Sequence, residues 1–420
     1  NMRAISNTPR LYWPPYTPMK MDDCRPSIVR GEGVYLYDDT GRRYIDGISG
    51  SYNHCLGHSH FGLIAAVKEQ VDTLVHACNI SSNTVLPEAL AERISGKLVK
   101  ARLVHTFLVM SGSEGVEAAL KMAWQYQIHR GRPQRTKVVA IDGAYHGCTL
   151  GAMIATRREF INEGAAPLLA AHSIAMPIPS GLEDISHWRA LLAEQETTIA
   201  AIVVEPVMAM AGTRQFPDGF LRELSALAKK YDIPFICDEV YCGVGRTGAF
   251  CESINQGASP DIVILSKCLG GGFPITAVVT TADMTDSFAA QSMPLFRHGH
   301  TQSGNLLGCC AALFILDYLD SHRSYEVVAA GGSRLLQGIR ENLQTTNSIV
   351  SVQGKGLMLS ITFETSQACT RAQLAVRRQG VIVGAADRHL KLAPSFLISE
   401  PEADELTDRL VSSIRSVSQQ

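Results

Sequence analysis

In PDIVILSKCLGGGFPITAV, residues 260–278, four consecutive apolar residues, Ile262 to Leu265, are followed after one serine by a lysine. An unbroken apolar run of this length is the pattern of a strand buried on both faces, and such strands belong to parallel sheets covered by helices. The fold class expected from it is α/β. Lys267 stands at the mouth of the strand, and Gly270, Gly271 and Gly272 let the backbone crowd whatever the amine reaches.

A lysine at a strand end ordinarily reaches water. A desolvated one can instead form a Schiff base with an aldehyde cofactor, of which pyridoxal phosphate (PLP) is the common example. That chemistry makes three further demands: a carboxylate for the pyridine nitrogen, an anion seat for the phosphate, and an aromatic ring over the cofactor face.

The whole chain sets the outer bounds. At 420 residues and 46% hydrophobic it can bury a large core in two or three domains. A net charge of −2 without a Lys/Arg run predicts no nucleic-acid footprint. No window reaches the length of a membrane span, and the first residues lack the basic, apolar and small-residue succession of a secretory signal. Eleven cysteines without paired CxxC spacings argue against a disulfide framework, and the cytosol is the expected compartment.

Residues 9–19, PRLYWPPYTPM, read as an extended arm that needs a surface to lie on. An antiparallel hairpin follows, turning at Asp39-Thr40-Gly41. His54, Cys55, His58 and His60 are close enough in sequence to raise a zinc site, but no second ligand cluster completes it, so this is read as a loop before a helix near Leu63–Val75. Pro87 is expected to start the next helix.

The strand Val104–Met110 leads into SGSEGVEAALKMAWQYQIH. Val116, Ala119, Leu120, Ala123, Trp124 and Ile128 form one apolar helix face, and Ser111 with Glu114 fits a capping box. Gly112 leaves room at the helix N-terminus, where the dipole favours an anion: this is the phosphate seat. After the strand Lys137–Ile141, Tyr145 and His146 occupy a loop at a strand's carboxyl end, where open α/β sheets bind ligands. Ala201–Val204 ends on Glu205, and Phe235–Cys237 ends on Asp238 and Glu239. A carboxylate buried there needs a partner, and a protonated pyridine nitrogen is one. One crossover separates Asp238 from Lys267, so both are expected at the same sheet edge.

The order of these segments resembles the class III (omega) aminotransferases among the fold type I PLP enzymes. The likeness covers most of the chain: DGIS, LGH, SGSEGVEAALK, YHG, the Glu205-Pro206 pair, DEV with GVGRTG, SK with LGGGFP, and HGHTQSGN. The resemblance implies a large, mostly parallel PLP-binding domain over residues 61–320. A smaller α+β domain would combine the arm and hairpin of residues 1–60 with residues 321–420. It implies Lys267 as Schiff base and proton shuttle, Asp238 at the pyridine nitrogen, and Val240 opposite Tyr145 on the ring. Ser111, Gly112 and Ser113 would hold the phosphate, helped by Thr301 of a neighbouring subunit, with Glu205 and His146 beside them. A homodimer with shared sites and a ping-pong transfer from a terminal or side-chain amine to a carbonyl acceptor follow. An aminomutase, a racemase and a non-catalytic scaffold subunit are the alternatives.

Departures from the family pattern concern substrate. Leu306 replaces a proline after HGHTQSGN, and Met210 stands where ornithine and acetylornithine members carry a glutamate masking a carboxylate-binding arginine. Tyr241 sits where many relatives have a smaller residue. The arm and the stretch MKMAWQY are similar to diaminopelargonate-forming members, but Ser51 and Tyr52 replace that group's tryptophan pair and Gly384 its substrate arginine. Arg157, Arg388 and Lys391 are the candidate carboxylate binders. Trp13, Tyr16 and Tyr52 are candidates for an aromatic wall.

Overall fold

The computed structural model describes residues 11–17 and 25–418. Its large sheet has seven strands: β1 (Leu103–Val109), β2 (Lys137–Ile141), β3 (Ser173–Met176), β4 (Ile199–Val204), β5 (Phe235–Asp238), β6 (Ile262–Leu265) and β7 (Thr276–Thr281). Their spatial order is β1-β7-β6-β5-β4-β2-β3. Six of the seven run one way, and β7 is antiparallel to both neighbours, β1 and β6. The apolar run of residues 262–265 is an interior strand of this sheet, beside the central β5, and every residue of β4, β5 and β6 is buried, as two-sided coverage requires.

β7 runs against the others because the chain doubles back after Lys267 instead of crossing over. Ser266 and Thr276 join the two sides of that loop through their hydroxyls at 2.6 Å. β3 and the helix Ile185–Gln195 before β4 add to the elements indicated by the sequence; the helix buries Trp188 and Leu192. The helix expected to start at Pro87 begins two residues earlier, at Val85.

Helix α1 (Gly112–His129) covers one face of the sheet. Val116, Ala119, Leu120 and Ala123 are buried as their spacing predicts, but Ile128 is 57% exposed. In the last turn Gln127 faces inward instead, donating to the Ala200 carbonyl at 3.2 Å. Gly115 lets the helix approach the sheet: a Cβ there would lie 2.7 Å from Thr276 Cγ2 and 2.8 Å from Ile264 Cγ2.

Both chain ends contribute to the remainder. The hairpin strand Arg43–Asp46 pairs in parallel with Val381–Ile382, so a strand from before the large sheet is completed by one from after it. A second four-stranded sheet orders Ile349–Lys355, Met358–Phe363, His389–Leu392 and Gly384–Ala386, all antiparallel. Among the described residues no helix is long and apolar enough to cross a membrane.

Gly115→Ala should destabilise the protein by about 1–3 kcal/mol, because β-branched side chains fixed in a sheet cannot swing away from an added methyl. Denaturant unfolding, with the midpoint falling at unchanged slope, measures this.

Candidate active site

The carboxyl ends of β1, β2, β4, β5 and β6 deliver their loops to one edge of the sheet. A cavity of about 320 Å³ opens there, lined by Ser111, Gly112, Ser113, Tyr145, His146, Asp238, Val240 and Lys267. Four segments far apart in sequence meet there, and residues 238 and 267 face the same space. Asn53, Ser266 and Phe273 also line it. Asn53 accepts from the Gly272 N–H at 3.2 Å and so fastens the glycine loop; no spacing in the sequence pairs these residues.

At β1's end, Ser111 and Glu114 form the expected capping box, with the serine hydroxyl accepting from the Glu114 N–H and the glutamate from the Ser111 N–H at 2.9 Å. The eighteen-residue helix therefore presents its first N–H groups to the cavity. Gly112 has a further cause beyond room for a ligand: a Cβ there would meet Val240 Cγ1 at 2.9 Å, so the absent side chain is what seats Val240.

Asp238 is 3% exposed and has one partner for each oxygen: Oδ2 pairs with His146 Nδ1 at 2.8 Å and Oδ1 accepts from the Val240 N–H at 3.0 Å, which leaves acceptor capacity toward the cavity. The histidine bond was not legible from the YHG motif. The outer nitrogen, Nε2, is buried and has no protein partner among the described residues. Glu205 lies behind the loop, accepting from the N–H groups of Tyr145 at 2.9 Å and Ala209 at 3.1 Å. Burial pushes its carboxyl up to about 7, assisted by the charge of Asp238 and opposed by His146.

Lys267 has a left-handed φ of 48°, costly for a residue with a Cβ and typical of strain held at a functional position. Its Nζ lies 4.2 Å from the centroid of the Tyr241 ring. Burial lowers its pKa, while Cys268, Asp238 and Glu205 act in the other direction. The amine is thus closer to its nucleophilic form than a solvated lysine would be.

The candidate substrate residues divide. Tyr16 of the arm reaches the site, its hydroxyl 3.3 Å from that of Tyr145. Trp13 does not: it is 64% exposed and donates to the Thr17 carbonyl. Tyr52 is 1% exposed and packs edge-on against Tyr241, forming a wall behind that ring. It is presented by an unusual turn: Ser49, Gly50, Ser51 and Tyr52 all have positive φ. Arg157 points to Ser173 and Asp142, and Arg388 is exposed. Lys391 alone of the three cations is buried. Thr301 is exposed and not part of the cavity lining. In the histidine-rich loop His58 pairs with Asp46 at 2.8 Å and His60 accepts from the Leu63 N–H, so these rings hold backbone and hairpin together.

A family profile described as aminotransferase class-III matches residues 17–414. The chain belongs to the class-III aminotransferase family. It is 30% identical to the adenosylmethionine-8-amino-7-oxononanoate aminotransferase of Geobacter sulfurreducens, over 97% of this chain and 96% of that one. It is 32% identical to the acetylornithine aminotransferase of Aquifex aeolicus, over 93% and 96%. A PLP-bound amine transaminase from an uncultivated Pseudomonas species superposes with a TM-score of 0.92 at 27% identity, covering 98% of this chain and 100% of that one. This aminotransferase is accordingly a PLP-dependent enzyme of fold type I.

The elevated carboxyl of Glu205 sets a pH dependence of folding. A group whose pKa rises on folding adds stability that is complete below its unfolded value of 4.5 and is lost as pH climbs through about 7. Thermal midpoints of the cofactor-free aminotransferase should therefore fall across that window, and Glu205→Gln should flatten the fall.

Proposed function

We propose that this aminotransferase holds PLP in the 320 Å³ cavity and moves amino groups with Lys267 as covalent anchor and proton carrier. The observation that carries the assignment is that a desolvated lysine, a buried aspartate and a capped helix N-terminus all line one space. These groups fit the cofactor's chemistry. The start of α1, with Ser111, Gly112 and Ser113, suits a phosphate. Asp238 offers a carboxylate to a protonated pyridine nitrogen, and Tyr145 and Val240 supply an aromatic and an aliphatic flank. When bound, PLP supplies an aldehyde that captures amines and an electron sink for the carbon that loses its proton.

The protein's own tasks follow from the geometry. Lys267 Nζ collects and returns the proton of the reacting carbon, and its lowered pKa keeps part of it neutral for that purpose. His146 orients the Asp238 carboxylate through its 2.8 Å bond. Glu205 holds the Tyr145 backbone, and Tyr16 closes over Tyr145 from the arm. Residues 1–60 and 321–420 serve as a small domain against residues 61–320, a division supported by the strand pairing between the chain's two ends. The exposed position of Thr301, outside its own cavity, supports a homodimer in which this residue completes the neighbouring phosphate seat. Ten described cysteines are free thiols, which supports a cytosolic setting.

Donor and acceptor are small amine and carbonyl compounds taken in turn. The Geobacter relative favours a diaminopelargonate-type substrate as a second reading, against which stand Ser51, Tyr52 and Gly384.

Lys267→Ala should remove the visible absorbance that develops when the protein binds PLP. It should lower transamination by at least roughly 10²–10⁴-fold, the range of a lost general base. A Lys267→Ala protein that still exchanged amino groups at the wild-type rate would exclude this assignment.

A further inference from the structure

Helix α1 begins at the candidate active site and ends at the opposite edge of the large sheet. In its last turns Trp124 and Ile128, one turn apart, meet Pro133, Ile154 and His172 around a second cavity of about 280 Å³. The chain enters β2 and β3 beside it, so it lies at the amino ends of those strands, roughly 20 Å along the helix from Ser113. No residue lines both cavities. The walls are fixed by hydrogen bonds: Trp124 Nε1 donates to the Thr136 carbonyl at 3.1 Å, and the Ser173 hydroxyl donates to the Ile154 carbonyl at 2.6 Å.

Arg135 completes the lining and is only 7% exposed. Its Nη1 donates to the carbonyls of Tyr231 at 3.2 Å and Asp232 at 2.8 Å, and its Nη2 to the Tyr231 carbonyl at 3.3 Å. Its Nε is buried and has no acceptor among the described residues. Carbonyl oxygens are dipoles, and among the described residues no carboxylate is within ion-pair distance of this guanidinium. The Asp232 carboxylate, close by, is already engaged by Arg132 at 2.7 Å and Arg130 at 3.3 Å. Burial and the charge of Arg132 lower the Arg135 pKa, against the pull of Asp232 and Glu196. An enclosed cation that lacks both a counterion and one acceptor is costly unless something else supplies them.

We propose that this cavity is a second ligand site, for a small aromatic carboxylate whose ring lies among Trp124, Ile128 and Pro133 and whose acid group answers Arg135. Its size agrees: an apolar cavity of about 150 Å³ takes up benzene, so this one leaves room for a second ring or a short acid arm. A flat ring beside a fixed indole gains aromatic contact as well as burial, and a guanidinium matches the two oxygens of a carboxylate. Ile128, 57% exposed at the end of an otherwise buried stripe, would be covered by such a ligand. The site uses none of the groups assigned to transamination and stands independently of that assignment.

Calorimetric titration of the PLP-loaded protein with 2-naphthoate, and with 2-naphthamide as its uncharged counterpart, tests this. Naphthoate should bind saturably and naphthamide at least about tenfold more weakly, the loss of a charge-assisted contact. Ile128→Glu places a negative charge at the cavity mouth, on an exposed helix position where the fold tolerates it. It should weaken naphthoate at least about tenfold and leave the visible PLP spectrum as in wild type. Arg135→Gln should abolish the preference for acid over amide. Undetectable naphthoate binding, equal affinity for acid and amide in the wild type, or a preference that survives in Arg135→Gln would overturn the proposal. So would wild-type naphthoate affinity in Ile128→Glu, which would assign the binding to the catalytic cavity instead.

Discussion

A carboxylate sealed inside a protein must be answered by hydrogen bonds, and the bond from His146 to Asp238 is where this molecule meets that condition. The acid ends β5, in the middle of the large sheet, and the histidine arrives from the loop after β2. β4 lies between those strands and sends Glu205 to the backbone of the same loop. Three strand ends are thus tied by polar contacts that cannot form unless the strand order is right, and the apolar strands behind them supply the low dielectric that makes each contact strong. Displacing His146 would leave Asp238 with one backbone partner in a place water barely reaches.

Much of this arrangement is legible in the amino-acid order because the chemistry sits at strand ends. The apolar runs ending at residues 204, 237 and 265 mark buried strands, and the polar residue after each marks the edge where ligands gather. Capping chemistry is equally local, so Ser111 and Glu114 disclose the start of α1 without knowledge of the fold. The family resemblance adds order to these pieces and assigns their roles.

What stays hidden is tertiary. Nothing near residue 276 reveals that β7 runs backwards: it folds back antiparallel onto β6 across the loop after Lys267 and is held on its other side by β1, more than a hundred residues away. The partner of His146 is 92 residues distant, and the Met210 sulfur beside Lys391 is 181 away. Arg157, Arg388 and Lys391 are alike in charge; only packing distinguishes the half-buried Arg157 bonded to Ser173, the exposed Arg388 and the enclosed Lys391. Trp13 and Tyr52 differ in the same way, one left on the surface and the other sealed behind Tyr241.

The turn from Ser49 to Tyr52 holds four successive residues in a conformation that L-amino acids avoid, and three of them are not glycine. Such a segment cannot maintain itself. Asp46 clasps the N–H groups of Ile48 and Gly50, and Ser49 donates to the Ala393 carbonyl near the other end of the chain. The wall carrying Tyr52 is therefore assembled only when the hairpin and the C-terminal strands dock. An unfinished chain would possess the sheet yet lack the wall that backs Tyr241.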